Sequence, residues 1–242
     1  MERWLGIEVK NVLEIKEIKK RYKNGIKALK GVSVKVRKGE KVAFFGENGA
    51  GKTTLLKIIA TFLIPDSGKI LLNDVDLLKN QKYAKEKITI STGIERSFYY
   101  RLTVKQNLEF FGMLNGMLGK ELKTKIEKVI EEVGLTEFKN VKYMELSKGL
   151  KRRLDIARAL MKEAEVYIFD EPTSGIDIKT RYKIYEIVER LTKRKKIILL
   201  ATHEIDELKK MDRIIVLKRG EKITELNVNE SEKVENVLLE YI

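Results

Sequence analysis

The segment that most constrains this chain runs from Val42 to Phe62. An apolar run, Val42–Phe45, leads into Gly46-Glu47-Asn48-Gly49-Ala50-Gly51-Lys52-Thr53-Thr54, and Leu55–Phe62 then reads as a helix. This is G-x-x-x-x-G-K-T in a strand–loop–helix setting. A loop of this kind needs a strand to feed it and a helix to follow, so it commits the chain to an α/β design. Each part has a chemical reason. Glycines let successive backbone N–H groups turn inward toward phosphate oxygens. The helix N-terminus adds partial positive charge beneath them. Lys52 brings a full charge to the β- and γ-phosphates, and the Thr53 hydroxyl is placed to ligate Mg2+. A Gly-rich turn with a chance lysine would not also require the flanking strand and helix.

The rest of the chain agrees with that class. Val42–Phe45, Val166–Phe169, Ile197–Ala201 and Ile214–Leu217 are continuous apolar runs, as suits parallel strands covered on both faces. Val32, Val34 and Val36 alternate with polar residues, which predicts a half-exposed antiparallel sheet near the N-terminus. Three helical stripes follow: Leu122, Ile126, Val129, Ile130 and Val133; Leu150, Leu154, Ala157 and Met161; and Ile184, Ile187, Val188 and Leu191. Residues from about 95 to 160 are helical in pattern without a buried strand, so a helical subdomain inserted in the α/β core is expected. The 242 residues suit a single domain with such a subdomain, at about 100–200 residues per domain.

Composition removes other chemistries. There is no Cys, which excludes disulfides, thiolate metal sites and cysteine nucleophiles. A single His excludes multi-histidine metal sites. The net charge of +14 favours partners that carry phosphate. No run of 18 uncharged apolar residues exists, so no bilayer-spanning helix is expected. Met1-Glu2-Arg3-Trp4 lacks the apolar run of a leader peptide, and none is expected.

Two further strand ends carry chemistry. Val166–Phe169 ends in Asp170-Glu171-Pro172. The C-terminal end of a strand is where an open α/β sheet binds ligands. Asp170 there can hold Mg2+ through water, and Glu171 can act as general base on a water at the γ-phosphate. Ile197–Ala201 is followed by Thr202-His203-Glu204, which brings the lone histidine to the same edge. Its ring can hydrogen-bond the γ-phosphate and orient the water with Glu171.

Taken together, these motifs resemble the ATP-binding subunit of ATP-binding cassette (ABC) transporters. The discriminating segment is Leu146-Ser147-Lys148-Gly149-Leu150-Lys151-Arg152-Arg153-Leu154, similar to the family's signature loop and helix. It precedes Asp170-Glu171-Pro172-Thr173-Ser174-Gly175-Ile176-Asp177, similar to its Walker B motif and D-loop. The resemblance spans about residues 12–224. It implies a P-loop NTPase core with a mostly parallel sheet, an N-terminal antiparallel β subdomain and the inserted helical subdomain. It also implies ATP and Mg2+ as cofactors. Tyr22 would stack on adenine, and Gly46 to Thr54 would bind the phosphates. Thr53 and Asp170 would serve Mg2+, Glu171 would be the catalytic base and His203 the switch histidine. Ser147, Lys148 and Gly149 would meet the ATP of a second copy, with Asp177 at the dimer seam. The implied partners are that second copy, in a head-to-tail ATP-dependent dimer, and a separate transmembrane permease. The implied location is cytoplasmic, peripheral on the inner face of the membrane.

The chain departs from the family in two places. The usual Leu-Ser-Gly-Gly-Gln reads Leu146-Ser147-Lys148-Gly149-Leu150, a Ser-x-Gly-hydrophobic variant resembling those of ABC-2 exporters. The family's Q-loop glutamine falls on Ile94, which cannot ligate Mg2+. Either the adjacent Glu95 takes over as a metal-side ligand, or the loop couples without a polar side chain there. Aromatic residues concentrate nearby. Phe98 to Arg101 are expected at the lip of a docking groove, and Phe110 and Phe111 in the core. Residues 228–242 pattern as a short acidic helix. A nucleic-acid or ribosome ATPase is the competing function that the charge permits. Only about 95 residues separate Lys52 from Ser147, without sustained heptads, so no coiled-coil insertion of the chromosome-maintenance kind is expected, and no nucleic-acid partner. A non-hydrolysing nucleotide-binding module is disfavoured by the presence of both Glu171 and His203.

Overall fold

The protein is described from a computed structural model over residues 12–93 and 98–228. Among these residues lie two sheets and seven α-helices. The first sheet is antiparallel, in the order β2 (Lys27–Arg37), β1 (Val12–Arg21), β4 (Ser67–Leu72) and β5 (Val75–Asp76). The second has the order β10 (Glu221–Asn227), β9 (Arg213–Lys218), β3 (Lys41–Phe45), β8 (Ile197–Thr202), β7 (Val166–Asp170) and β6 (Ile88–Ser91). Its strands are parallel except β10, which runs antiparallel to β9 at the edge.

The apolar runs become strands because both of their faces are covered. Every residue of β3, β7 and β8 is buried. Alternate side chains enter two cores. Val42 and Phe44 face the antiparallel sheet and α1 (Lys52–Ile59). Ala43 and Phe45 face α4 (Gly119–Glu132), α5 (Lys148–Leu160) and α6 (Ile178–Lys193). The remaining helices are α2 (Gln81–Lys87), α3 (Val104–Leu114) and the one-turn α7 (Ile205–Leu208). The Val32, Val34 and Val36 alternation lies on β2 with all three side chains buried. The stretch between β6 and β7 holds α3, α4 and α5 and no strand among its described residues, only an isolated bridge between Thr103 and Lys142.

Two expectations need correction. The first helix stops at Ile59 rather than reaching Phe62. Thr61 takes a left-handed φ of 59°. Its N–H then donates to Ile58 O (3.0 Å) and the Phe62 N–H to Lys57 O (2.8 Å). This is a Schellman closure with threonine where glycine is usual, so no glycine marks the stop. Phe98 is buried rather than on a groove lip. It stacks on Tyr143 with ring centroids 5.0 Å apart, meets Phe111 edge-on and lies under the Arg158 guanidinium. Tyr99 and Tyr100 remain exposed, while Phe110 and Phe111 are half-buried.

Candidate active site

The phosphate loop joins the end of β3 to α1. Its glycines are required by close approach. A Cβ on Gly46 (φ 148°) would sit 2.1 Å from Leu217 O, and one on Gly51 (φ 107°) would sit 2.6 Å from Ala28 O. The loop is therefore wedged between β9 and β2, and any side chain at either position would push it off its bed. Lys52 is buried, and its Nζ donates to Gly46 O (2.5 Å) and Glu47 O (3.0 Å). The charge thus lies inside the loop. Burial lowers its pKa, and the nearby Glu171 and Asp170 carboxylates oppose that shift. Glu47, Asn48 and Gly49 form the exposed rim of the loop, and Ala50 is anchored by Gly220 N–H to its carbonyl (3.0 Å).

At the end of β7, Asp170 is buried and accepts from the Thr53 hydroxyl (3.0 Å). Burial raises its pKa, with the Thr53 hydrogen bond opposing. A hydroxyl and a carboxylate facing each other make a hard-oxygen pair suited to Mg2+, which takes few protein ligands and fills the rest of its shell with phosphate and water. Among the described residues no group of three or more His, Cys, Asp and Glu side chains converges as a metal cage. The Thr53–Asp170 pair fits a nucleotide-borne Mg2+.

Glu171 follows with a left-handed backbone, φ 49°. A non-glycine residue held there costs on the order of 1–3 kcal/mol, and such strain persists where the surroundings enforce it. Here the enforcing contact is the Glu171 N–H, which donates to Ala201 O of β8 (2.9 Å). The bend turns the side chain toward the next strand end, where Oε1 lies 3.2 Å from His203 Nδ1. Parallel pairing of β3 with β8 and β8 with β7 thus brings Lys52, Thr53, Asp170, Glu171 and His203 to one edge.

Tyr22 follows β1, with its ring exposed and its hydroxyl 3.1 Å from Thr54 Oγ1. The ring stands beside the start of α1, open to a flat ligand. The signature residues form a separate group. Ser147 caps α5, accepting from the Leu150 N–H (3.3 Å). Asp177 caps α6, accepting from the Thr180 N–H (2.9 Å) and the Thr180 hydroxyl (2.8 Å), which lower its pKa. Gly149 fits between the two caps, where a Cβ would lie 3.1 Å from both Asp177 Oδ2 and Thr180 Oγ1. Lys148 extends its ammonium over Gly175, within 2.4 Å of where a Cβ there would be. No hydrogen bond or ion pair among the described residues joins Ser147, Lys148 or Gly149 to the phosphate loop, Glu171 or His203.

Ile94, Glu95 and the tail from residue 229 onward lie outside the described residues. Two buried acids escaped sequence reasoning. Asp155 on α5 accepts from Ser91 Oγ (2.6 Å), the Gly93 N–H (2.8 Å) and Arg158 (2.6 Å), which ties that helix to the end of β6. Glu207 on α7 accepts a short hydrogen bond from the Thr173 hydroxyl. Its only sequence signal is its position four residues after His203, which looks like ordinary helix surface.

Comparison with known proteins gives one family. The model of the ABC transporter family matches residues 29–174. The ABC transporter ATP-binding protein NatA of Bacillus subtilis (strain 168) is 37% identical over 202 residues, covering 83% of this chain and 82% of that protein. The linearmycin resistance ATP-binding protein LnrL of the same organism is 38% identical over 214 residues, covering 88% and 68%. The dimeric ATP-binding cassette MJ0796, solved in a post-hydrolysis state bound to ADP and Pi, superposes with a TM-score of 0.82 at 29% identity, covering 89% of this chain and 98% of that one. With the loop, the acidic strand end and the signature helix in the places just described, the chain belongs to the ABC transporter family and is an ATP-binding, ATP-hydrolysing cassette of it.

Proposed function

We propose that two copies of this chain close head-to-tail on two ATP molecules, and that closure and hydrolysis drive a separate transmembrane permease. The observation that carries the reading is the convergence of Lys52, Thr53–Asp170 and Glu171–His203 at one sheet edge. Gly46 to Thr54 wrap the triphosphate, and Lys52 exchanges its two carbonyl partners for phosphate oxygens. Tyr22 stacks on the adenine. Thr53 and Asp170 would hold Mg2+, which would supply charge neutralisation to the phosphates. Glu171 accepts the proton of the attacking water, while His203 holds Glu171 and hydrogen-bonds the γ-phosphate. Ser147, Lys148 and Gly149 of the second copy cover that phosphate, and Asp177 lies along the seam. In support, the similar cassette MJ0796 is a dimer with ADP and Pi.

The permease is assigned to a cleft of about 400 Å3 whose lining includes Phe62, Ile90, Phe111, Leu114, Arg158 and Lys162. Phe62 and Leu114 are exposed apolar side chains, and the rim is cationic. An apolar cytoplasmic helix bearing carboxylates complements both. No helix among the described residues is long and apolar enough to cross a membrane, which leaves the span to such a partner. The cassette then works on the cytoplasmic face. An outward direction is supported by the relative named for linearmycin resistance.

Glu171→Gln tests this reading. Phosphate release falls by about 10²–10⁴-fold, the range for loss of a general base. ATP binding survives, and size-exclusion chromatography with ATP shows a stable dimer. Wild-type turnover, or a strictly monomeric variant at saturating ATP, overturns the reading.

A further inference from the structure

Glu207 is a carboxylate in a place that disfavours charge. It is fully buried, and no ion pair neutralises it among the described residues. Burial raises its pKa. The Thr173 and Thr202 hydroxyls and the field of Arg181 oppose that rise, and Glu204 adds to it. A buried ionisable group with no salt-bridge partner is costly to hold in a core, since only hydrogen bonds offset its desolvation. Its surroundings give it another use. Thr173, also fully buried, donates to Glu207 Oε1 and stands two residues after Glu171. Thr202 is buried too, and its Oγ1 accepts from the Glu204 N–H (2.9 Å), so it sits at the root of the turn that presents His203. The Glu171 N–H is already bonded to β8 through Ala201. The carboxyl of Glu207 is therefore buried against the turn that follows Glu171, on the helical turn that follows His203.

We propose that Glu207 is a positioning residue: through Thr173 it ties the turn that carries Glu171 to α7, the helical turn that follows His203, and so fixes the geometry of that pair. The inference rests on reading Glu171 and His203 as the hydrolytic pair. It touches neither nucleotide nor reacting atoms, and it acts through Thr173. Loss of the tie leaves Glu171 on a strained backbone with one fewer restraint, and a displacement of about 1 Å at a reacting group can cost about 10²-fold in rate.

The experiment compares Glu207→Met with Glu207→Gln, which retains an acceptor for Thr173. Glu207→Met lowers kcat by about 10- to 100-fold. Its Kd for ATP stays within about twofold of wild type, and its Tm falls by only a few degrees, the cost of leaving the buried Thr173 hydroxyl without its acceptor. Glu207→Gln restores kcat to within about threefold, an interval set by the range of a single neutral hydrogen bond. The chain has one histidine, so its imidazole NMR resonances are unambiguous, and they move in the Met variant but not in the Gln variant. In a His203→Ala background, adding Glu207→Met costs less than about twofold further, as expected for residues acting as one unit. Should Glu207→Met not fold, Thr173→Val removes the donor and the same losses are expected. A folded Glu207→Met with wild-type kcat, or with equal losses in both backgrounds, overturns the inference. Wild-type turnover in His203→Ala instead overturns the pair itself, and the inference with it.

Discussion

The two halves of the site use their polar groups in opposite ways. On the phosphate-loop side, charged groups answer one another across the ends of β3, β7 and β8. Lys52 fills the loop, Thr53 meets Asp170 and Glu171 meets His203. On the signature side, the conspicuous oxygens are occupied in holding helices. Ser147 caps α5 and Asp177 caps α6. A side chain at Gly149 would be tight, its Cβ 3.1 Å from Asp177 Oδ2 and Thr180 Oγ1. The first half thus works by charge held in place, and the second by shape, offering a helix start at a fixed angle. This accounts for the departure from Leu-Ser-Gly-Gly-Gln. Ser147 and Gly149 carry the cap and the fit, whereas the side chains at 148 and 150 carry neither.

Three substitutions sharpen or break that contrast. Lys52→Ala has the largest effect. It removes charge-assisted hydrogen bonds of about 1.5–3 kcal/mol each, so the Kd for ATP rises by on the order of 100-fold, read by fluorescent-nucleotide titration. A change below about threefold would dissolve the distinction between the halves. Gly149→Val comes next. Its Cβ would lie 3.1 Å from both Asp177 Oδ2 and Thr180 Oγ1, so those two side chains must give way, and the γ-methyls press on them further. Overpacking of this sort costs about 2 kcal/mol, and calorimetry reads it as a Tm lower by several degrees. ATP-dependent dimerisation weakens, while ATP affinity of the single copy stays at the wild-type value. Equal loss of both would mean that the signature side reaches its own phosphate loop. The smallest effect is that of Asp177→Asn, since asparagine also caps helices well. Hydrogen bonds from Thr180 hold the Asp177 pKa below its ordinary 3.8. A depressed carboxyl stabilises the fold above the unfolded value and loses that contribution as pH falls through the folded one. The Tm gap between wild type and Asp177→Asn is therefore flat near neutrality and closes below pH 3.8. A gap that persists unchanged into stronger acid removes the charge from the cap.

The phosphate-loop half was far more legible in the sequence than the signature half's supports. Strands buried on both faces must be apolar throughout, so β3, β7, β8 and β9 announce themselves, and chemistry placed at their ends follows from the sheet. The end of α1 was hidden because Thr61 does what glycine usually does. Phe98 was misplaced because its burial depends on Tyr143, Phe111 and Arg158, all from separate segments. Asp155 and Glu207 read as helix surface for the same reason. Their partners lie 64 and 34 residues away, and no local pattern records a hydrogen bond of that span.

The Asp155 tie has a mechanical consequence. It pins α5 to Ser91 and Gly93 at a point eight residues beyond Ser147. At 1.5 Å per residue the lever arm from pin to serine is about 12 Å, so a tilt of about 10° around the pin carries the Ser147 tip by about 2 Å. That stroke is most of a hydrogen-bond length, enough to make or break contact with a neighbour's ligand. In the dimer proposed above, a rotation of that size about the pin would move Ser147 against the second copy's nucleotide by the same stroke.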